Sequence, residues 1–352
     1  MNSDFWANRQ VLITGHTGFK GSWLNLLLKK LGANLNGISL QPDPSSLFCS
    51  LGLEDQFISS YYLDIRDEVG LSELIKKISP EIVFHLAAQP IVLNGYMNPT
   101  DTYSTNITGT INILESLRNL DTKPDAIVVV TSDKCYEATS ESSNFVESDK
   151  LGGSDPYSAS KACVELITKA YYDSYFRELG IGVATARAGN VIGGGDFSSN
   201  RLIPDIIRAH ASKSELRLRN PEATRPWQHV IDPLAGYILL AEKLKIDAEK
   251  YSSAWNFGPD YNVRFSVSEM VKKFNHVFPV TVTTELSKFM ETDFLSIDST
   301  KSRKLLGWTP RFETLESIEL TVEWYQAHVE KRDMLALINL QIDRYFAGID
   351  TP

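Results

Sequence analysis

Val11-Leu12-Ile13-Thr14-Gly15-His16-Thr17-Gly18-Phe19-Lys20-Gly21 is an apolar run that breaks into three glycines spaced G-x-x-G-x-x-G and continues into the helical stretch Ser22 to Leu31. A β-branched run followed at once by glycines and then by a helical pattern reads as strand, tight turn and helix. Glycine at these spacings lets the chain turn sharply, lets a pyrophosphate approach the backbone amides and lets the helix pack closely on the strand. The helix N-terminus favours the anion as well. The turn therefore offers Gly15, Thr17, Gly18, Phe19, Lys20 and Gly21 as contacts for a dinucleotide.

The same unit recurs outward from this segment. Ile82 to His85, Ala126 to Thr131 and Val183 to Ala188 read as further buried strands, with helical periods between them. Ile107, Ile111, Leu114 and Leu117 predict one apolar helix face, with Arg118 and Asn119 turned away. Such alternation predicts an α/β, Rossmann-type, doubly wound parallel sheet whose ligands lie beyond the C-terminal strand ends. Asp64 and Ile65, after Tyr61 to Leu63, and Ala87 and Ala88, after His85, are cofactor candidates on that ground. The alternative for Asp64 is a helix cap ahead of Glu68. After the second strand, Asn36 to Asp43 offers Gln41 and Asp43 but no Arg or Lys to hold a 2′-phosphate, which favours NAD over NADP.

Past Ala188 the texture changes to Gly193-Gly194-Gly195, short elements and a basic stretch from Arg217 to Arg225. Ile231 to Leu244 then resumes a long helix, and Trp255 to Gly258 resembles one more strand. The expected division is discontinuous: 1–188 plus about 229–258 as an NAD-binding domain, and 189–228 plus about 259–352 as a smaller C-terminal α/β lobe for substrate. The chain's 352 residues suit that arrangement at ~150 per domain.

Composition removes several classes of function. The net charge of −9 argues against general affinity for nucleic acid or an anionic membrane, so an anionic ligand needs a local site. No apolar run approaches the ~18 residues of a membrane span. Cys49, Cys135 and Cys163 are too few and too scattered for a disulfide framework or a zinc site, which suits a reducing, cytoplasmic setting. His85 and His229 lack metal-ligand spacing, and no metal is expected. Trp227 and Trp308 read as core aromatics rather than stacking platforms.

The chemistry gathers in two further segments, Thr131-Ser132-Asp133-Lys134 at a strand end and Tyr157-Ser158-Ala159-Ser160-Lys161 on a helix. Positions i and i+4 share a helix face, so Tyr157 and Lys161 project together. An ammonium beside a phenol favours the phenolate, which makes a base for an alcohol proton and predicts a lowered Tyr157 pKa. With Asn106 at a helix start and Ser132 at a strand end, the glycine turn and this pair form a coordinated set.

At these residues the chain resembles the extended short-chain dehydrogenase/reductase superfamily, the NAD-dependent epimerases and dehydratases of nucleotide sugars. Thr131-Ser132-Asp133-Lys134-Cys135-Tyr136-Glu137, Gly152-Gly153-Ser154-Asp155-Pro156-Tyr157-Ser158, Ala188-Gly189-Asn190-Val191-Ile192-Gly193-Gly194-Gly195-Asp196 and Arg225-Pro226-Trp227-Gln228-His229 are similar to the CDP-glucose 4,6-dehydratase family. So are Arg201-Leu202-Ile203-Pro204-Asp205, Trp255-Asn256-Phe257-Gly258-Pro259 and Leu306-Gly307-Trp308. The resemblance implies a lyase that oxidises C4 of a nucleotide-hexose, eliminates water across C5 and C6, and returns the hydride to C6, so that NAD is restored. It implies Tyr157, helped by Lys161, as the base at the C4 hydroxyl, Ser132 as its hydrogen-bond partner, Asp133 as the acid for the C6 hydroxyl and Lys134 at the place of the C5 base. A lysine is a base only with its proton off, so that role demands desolvation that overcomes the attraction of Asp133.

For the substrate, Arg201 and Arg225 suit a diphosphate through their planar forks, and Asn190 offers amide hydrogen bonds. Arg217 and Arg219 read instead as surface charges. Gln89, Leu202 and Glu291 complete the substrate candidates, with Thr292 and Phe294 beside Glu291 in a segment that reaches the sugar site in the family. Two segments depart from the family pattern: Gln89-Pro90-Ile91-Val92 leads to Leu93 and Asn94 where the family carries an Arg, and Ala138 to Asp149 replaces a stretch with a Trp and a Gly-Tyr-Arg-Glu run. Competing readings are a nucleotide-sugar epimerase or reductase, which needs no Asp133 and Lys134, and a silent NAD-binding sensor, in which loss of Tyr157 or Lys161 is expected. By analogy with the superfamily, Thr102 to Leu120 beside Tyr157 to Arg177 predicts a homodimer through a four-helix interface.

Overall fold

The computed structural model describes residues 1–137, 144–259, 264–285 and 296–347. Strands β1 (Gln10–Thr14), β2 (Asn34–Ser39), β3 (Ser59–Tyr62), β4 (Ile82–His85), β5 (Ala126–Val130), β6 (Gly182–Ala188) and β7 (Ala254–Phe257) form one sheet in the order β7-β6-β5-β4-β1-β2-β3. Every pairing is parallel, with Ile13 opposite Gly37 on one side of β1 and opposite Phe84 on the other. The chain direction across the sheet reverses between β1 and β4, which opens a crevice at their C-terminal ends.

Both faces of the sheet are covered, as its apolar strands require. Val11 and Ile13 point to one face and Leu12 to the other, by strand alternation. The first face packs on Trp23, Leu24 and Leu27 of α1 (Phe19–Lys30) and on Leu234 and Ile238 of α2 (Ile231–Ile246). The second packs on Ile113, Leu114 and Leu117 of the helix Gly109–Arg118 and on Val164 of the helix Pro156–Tyr171. The predicted helix face is only partly right. Leu114 and Leu117 are buried, but Ile107 and Ile111 are half-buried and stand outside the core, where Ile113 sits instead. Ser104–Thr108 forms a π-helical turn, and its wider winding rotates the residues before it out of a 3.6-residue phase.

Beyond β6 the chain makes three small two-stranded pairings, Val191–Ile192 with Gln228–His229, Glu215–Leu218 with Thr281–Thr284, and Thr224–Arg225 with Phe265–Ser266. Gly194 shows why this turn needs its glycines: a Cβ there would stand 1.9 Å from Cγ of Trp324. Trp227 and Trp308 are buried, each donating its indole N–H to a backbone carbonyl. His85 is buried between Thr14 and Thr110, hydrogen-bonded to both. No helix among the described residues is long and apolar enough to cross a membrane.

Candidate active site

A cleft of about 940 Å³ opens at the C-terminal strand ends, and Phe19, Lys20, Ser132, Asp133, Lys134 and Tyr157 share its wall with Asn190, Arg201, Leu202 and Arg225. The glycine turn lies behind Phe19 and Lys20, which line the cleft. Gly15 has φ +73°, and a Cβ there would stand 2.8 Å from the Ala87 amide nitrogen. A Cβ at Gly21 would stand 2.2 Å from the Gly15 carbonyl oxygen, so the outer two glycines let turn, strand and helix approach. Gly18 is exposed and caps α1 with no side-chain bond, leaving the helix N-terminus open to an anion. The turn thus fits a dinucleotide pyrophosphate. Thr17 is buried, bonded to Ser39 Oγ at 2.7 Å, and it ties the turn to the end of β2. Burial pushes the Lys20 ammonium down to about 8, with the Arg201 and Lys161 charges acting in the same direction.

Tyr157 stands where local sequence puts it. Asp155 caps the next helix by accepting from the amides of Tyr157 and Ser158, and Pro156 takes the first helical position. The phenol is enclosed, and burial pushes its pKa up to about 12, against Ser132, which favours the phenolate. The expected lowering by Lys161 is therefore reversed in the protein alone. The Lys161 ammonium donates to the Val130 carbonyl at 3.1 Å, and burial brings it down to about 8. Ser132 Oγ donates to Asp133 Oδ1 at 3.0 Å and accepts from the Lys134 amide at 3.2 Å. Asp133 is 2% exposed, and its Oδ2 has no hydrogen-bond partner. Burial raises its carboxyl above the ordinary aspartate range, although Lys134, Ser132, Arg225 and Lys20 all favour the charged form. A buried carboxyl whose proton is held more tightly than usual and whose second oxygen is unbonded is suited to donate a proton. Lys134 is half-buried beside it.

Several expected contacts are already engaged with other groups of the protein. Arg201 pairs with the buried Asp196 at 2.8 Å, and Arg225 is buried with its guanidinium donating to the Thr224 carbonyl. Arg217 borders the cleft but is mostly exposed, in line with its reading as a surface charge. Gln89 is turned inward: its amide group donates to Ile91 O and Thr102 Oγ1 and accepts from the Ile91 amide. Asn106 is likewise committed, to the Gln89 backbone and to Ser160 Oγ at 2.8 Å, so it straps the segment after β4 to the Tyr157 helix. Ile65 packs against Gly109, and the Asp64 carboxylate is held by Arg66. The helix cap considered for Asp64 is made by Asp67. Ala87 is fixed by its amide bond to Thr14 Oγ1 at 3.2 Å, and Ala88 follows half-buried. Glu291, Thr292 and Phe294, and the part of the altered segment at 138–143, lie outside the described residues.

The sequence reading missed a buried ion pair behind the Ser132 turn, Arg187 with Glu165 at 2.7 Å, each side chain 3% exposed. Its signal was Glu165 itself, one further i+4 step along the Tyr157, Lys161 face.

A parallel sheet in this order, with a glycine turn after β1 and a Tyr–Lys helix against a strand-end serine, defines an extended short-chain dehydrogenase/reductase. The model of the GDP-mannose 4,6-dehydratase family matches residues 12–321, and the chain belongs to that family. It is 41% identical to a CDP-glucose 4,6-dehydratase of Salmonella typhimurium, over 99% of both chains. A dTDP-glucose 4,6-dehydratase of Xanthomonas campestris pv. campestris is 26% identical over 89% of this chain and 92% of its own. Among solved structures, a double mutant of the Streptomyces venezuelae dTDP-glucose 4,6-dehydratase with NAD bound shares the fold at TM-score 0.79 and 21% identity, covering 92% of this chain and 98% of that one. The Thermotoga maritima UDP-glucose 4-epimerase does so at 0.78 and 21%, covering 91% and 99%.

Proposed function

We propose that the chain is an NAD-dependent hydro-lyase that converts CDP-D-glucose to CDP-4-dehydro-6-deoxy-D-glucose and water. The observation that carries this reading is Asp133, a buried carboxyl with one oxygen unbonded, whose burial makes it hold its proton more tightly than an ordinary aspartate, beside Tyr157 and Ser132 at the cleft. An epimerase has no hydroxyl to expel and no use for such an acid. The 41% identity to a CDP-glucose 4,6-dehydratase supports the choice of nucleotide.

In this reading the glycine turn, Ala87, Ala88, Tyr157 and Lys161 hold NAD, while Asn106, Asp64 and Ile65 shape its site from behind. NAD, when bound, supplies a hydride acceptor for C4, a donor for C6 and a positive ring charge that favours the phenolate. Tyr157 takes the proton of the C4 hydroxyl, and Ser132 holds the oxygen as it becomes a ketone. That ketone acidifies C5–H. Lys134 removes the C5 proton while Asp133 Oδ2 delivers its own to the leaving C6 hydroxyl, so one water departs, and Lys134 gives its proton back to C5 as the hydride returns to C6. Arg201 and Arg225 face the diphosphate, with Asn190 and Leu202 beside them.

Residues 1–188 with about 229–258 form the NAD-binding part, and the remainder forms the substrate lobe. A cytoplasmic homodimer fits as well. Exposed Leu166 and Tyr175 and half-buried Ile107 and Ile111 stand on the helices that a four-helix interface would use. A deoxysugar product suits a surface polysaccharide such as O-antigen.

The test is incubation with NAD and, in parallel, CDP-glucose, dTDP-glucose, GDP-mannose and UDP-glucose, followed by the alkali-induced absorbance of a 4-keto-6-deoxy sugar. Product from CDP-glucose alone is expected. Product from another nucleotide alone would overturn the substrate and keep the chemistry, and a C4 epimer in place of any keto sugar would overturn the reaction.

A further inference from the structure

Glu165 lies one helical turn past Lys161, and its carboxylate accepts four hydrogen bonds inside the protein. Oε1 takes Thr131 Oγ1 and Arg187 Nε (2.9 Å), and Oε2 takes Thr185 Oγ1 (2.6 Å) and a terminal nitrogen of Arg187 (2.7 Å). The other terminal nitrogen of Arg187 donates to the Tyr136 hydroxyl at 2.7 Å and to the Glu147 carbonyl at 3.2 Å. The Tyr136 hydroxyl passes its own proton on to Asn256 Oδ1 at 2.7 Å. Its ring lies 4.8 Å from the Arg187 guanidinium and stacks on Phe145 at 4.7 Å. The upstream end of the 131–136 turn therefore hangs from Glu165 and the downstream end from Arg187. Ser132, Asp133 and Lys134 lie between the two holds. A buried ion pair is seldom better for stability than apolar side chains of the same volume. Apolar side chains could fill this space, but they could not fix two ends of a turn by directed bonds.

We infer that Glu165 and Arg187 are positioning residues for the dehydration, clamping the 131–136 turn so that Ser132, Asp133 and Lys134 meet the substrate in register with Tyr157. This rests on the functional reading above. The clamp touches no reacting atom. Its holds on the turn are Thr131 and Tyr136, and a slip of ~1 Å at the turn is enough to cost about 100-fold in rate.

The decisive variant is Glu165→Leu with Arg187→Met in the NAD-loaded enzyme, which removes both charges together and strands neither. A folded double variant is expected to keep its KM for CDP-glucose within about twofold while kcat falls about 100-fold. The Asp133 carboxyl, followed by carbon-13 NMR and assigned with Asp133→Asn, is expected to titrate at lower pH as water reaches it. Wild-type kcat or a wild-type Asp133 titration in the folded variant would overturn the inference. Should that variant not fold, Thr131→Val with Tyr136→Phe keeps the ion pair and cuts its holds on the turn, together with the Tyr136 bond to Asn256. The same fall in kcat is expected there, and wild-type kcat would overturn the clamp. If the wild-type protein makes no keto sugar from any nucleotide-hexose, the functional reading has failed, and the Asp133 titration, which needs no substrate, decides the positioning role by itself.

Discussion

Replacing Asp133 by Asn separates what the site does for the reaction from what it costs the fold. The substitution keeps the shape of the side chain and removes its charge. Asp133 is 2% exposed and its Oδ2 is unbonded, so at neutral pH ionisation places charge on a buried atom with no partner. An orphan of this kind costs about 1–3 kcal/mol, and more when it is charged. Asp133→Asn should therefore stabilise the protein near neutral pH by about 1–3 kcal/mol. The sign follows from linkage: the folded carboxyl binds its proton more tightly than the unfolded one, whose ordinary value is 3.8. The aspartate's disadvantage is thus absent below the ordinary value and grows as pH rises through the raised folded one. Urea unfolding at several pH values measures this directly, as a higher midpoint at unchanged slope whose excess shrinks toward acid. The same protein should lose dehydration by about 10²–10⁴-fold, the worth of a general acid. Reduced NAD should accumulate after one hydride transfer. A lower midpoint at neutral pH, or a gain that does not shrink on acidification, would refute the account of Asp133 as a buried acid whose ionisation is disfavoured in the folded protein.

Four other substitutions test neighbouring steps. Tyr157→Phe should cut C4 oxidation by about 10²–10⁴-fold, read as reduction of bound NAD in a single turnover, and a variant that still reduces NAD would strip Tyr157 of its role. Lys134→Ala should spare that first transfer and block elimination, whereas unimpaired turnover would send the C5 proton by another route. Asp232, fully buried, is pushed up to about 7 from 3.8 by burial. Its contribution to stability is complete below 3.8 and lost as pH rises through about 7. Asp232→Asn should hence add up to roughly 4 kcal/mol above neutrality and nothing near pH 4, as melting at the two pH values would reveal. Gly194→Ala drives a methyl into the Trp324 ring and should lower stability by about 1–3 kcal/mol in the same unfolding assay.

The parts of this molecule legible in its sequence are those set by local rules. The G-x-x-G-x-x-G turn, the apolar strands of a parallel sheet and the helix that carries Tyr157 and Lys161 each follow from short-range rules, and each stands where the pattern put it. Periodicity failed at Ile107 because it lies in a π-turn, 104–108, that carries no compositional mark, while Ile111 lies beyond that turn in the regular helix. Gln89 and Asn106 were expected at ligands on the strength of residue type. An amide reads the same in sequence whether it faces a ligand or straps two backbone segments, and only the fold shows that these two strap. The Tyr157 shift was misread for a related reason. An i+4 spacing places Lys161 on the right face, but the balance between its charge and desolvation depends on how closely the helix is enclosed.

The two sides of the Ser132 turn show how one short segment can be both costly and well held. On the cleft side Asp133 keeps a buried oxygen unbonded, and a Cβ at Gly189 would come within 3.1 Å of it, so glycine lets the backbone pass close. On the inner side every nitrogen and carboxylate oxygen of the Glu165–Arg187 pair has a partner, with Thr131, Thr185 and Tyr136 all engaged. A turn that must present an unsatisfied acid to substrate would relax toward water or toward a neighbouring donor if its ends were free. Fixing both ends by directed, buried bonds prevents that relaxation. The chemistry at Asp133 and the ion pair behind it are thus two halves of one requirement: an acid can stay unbonded only where the backbone carrying it cannot move to bond it.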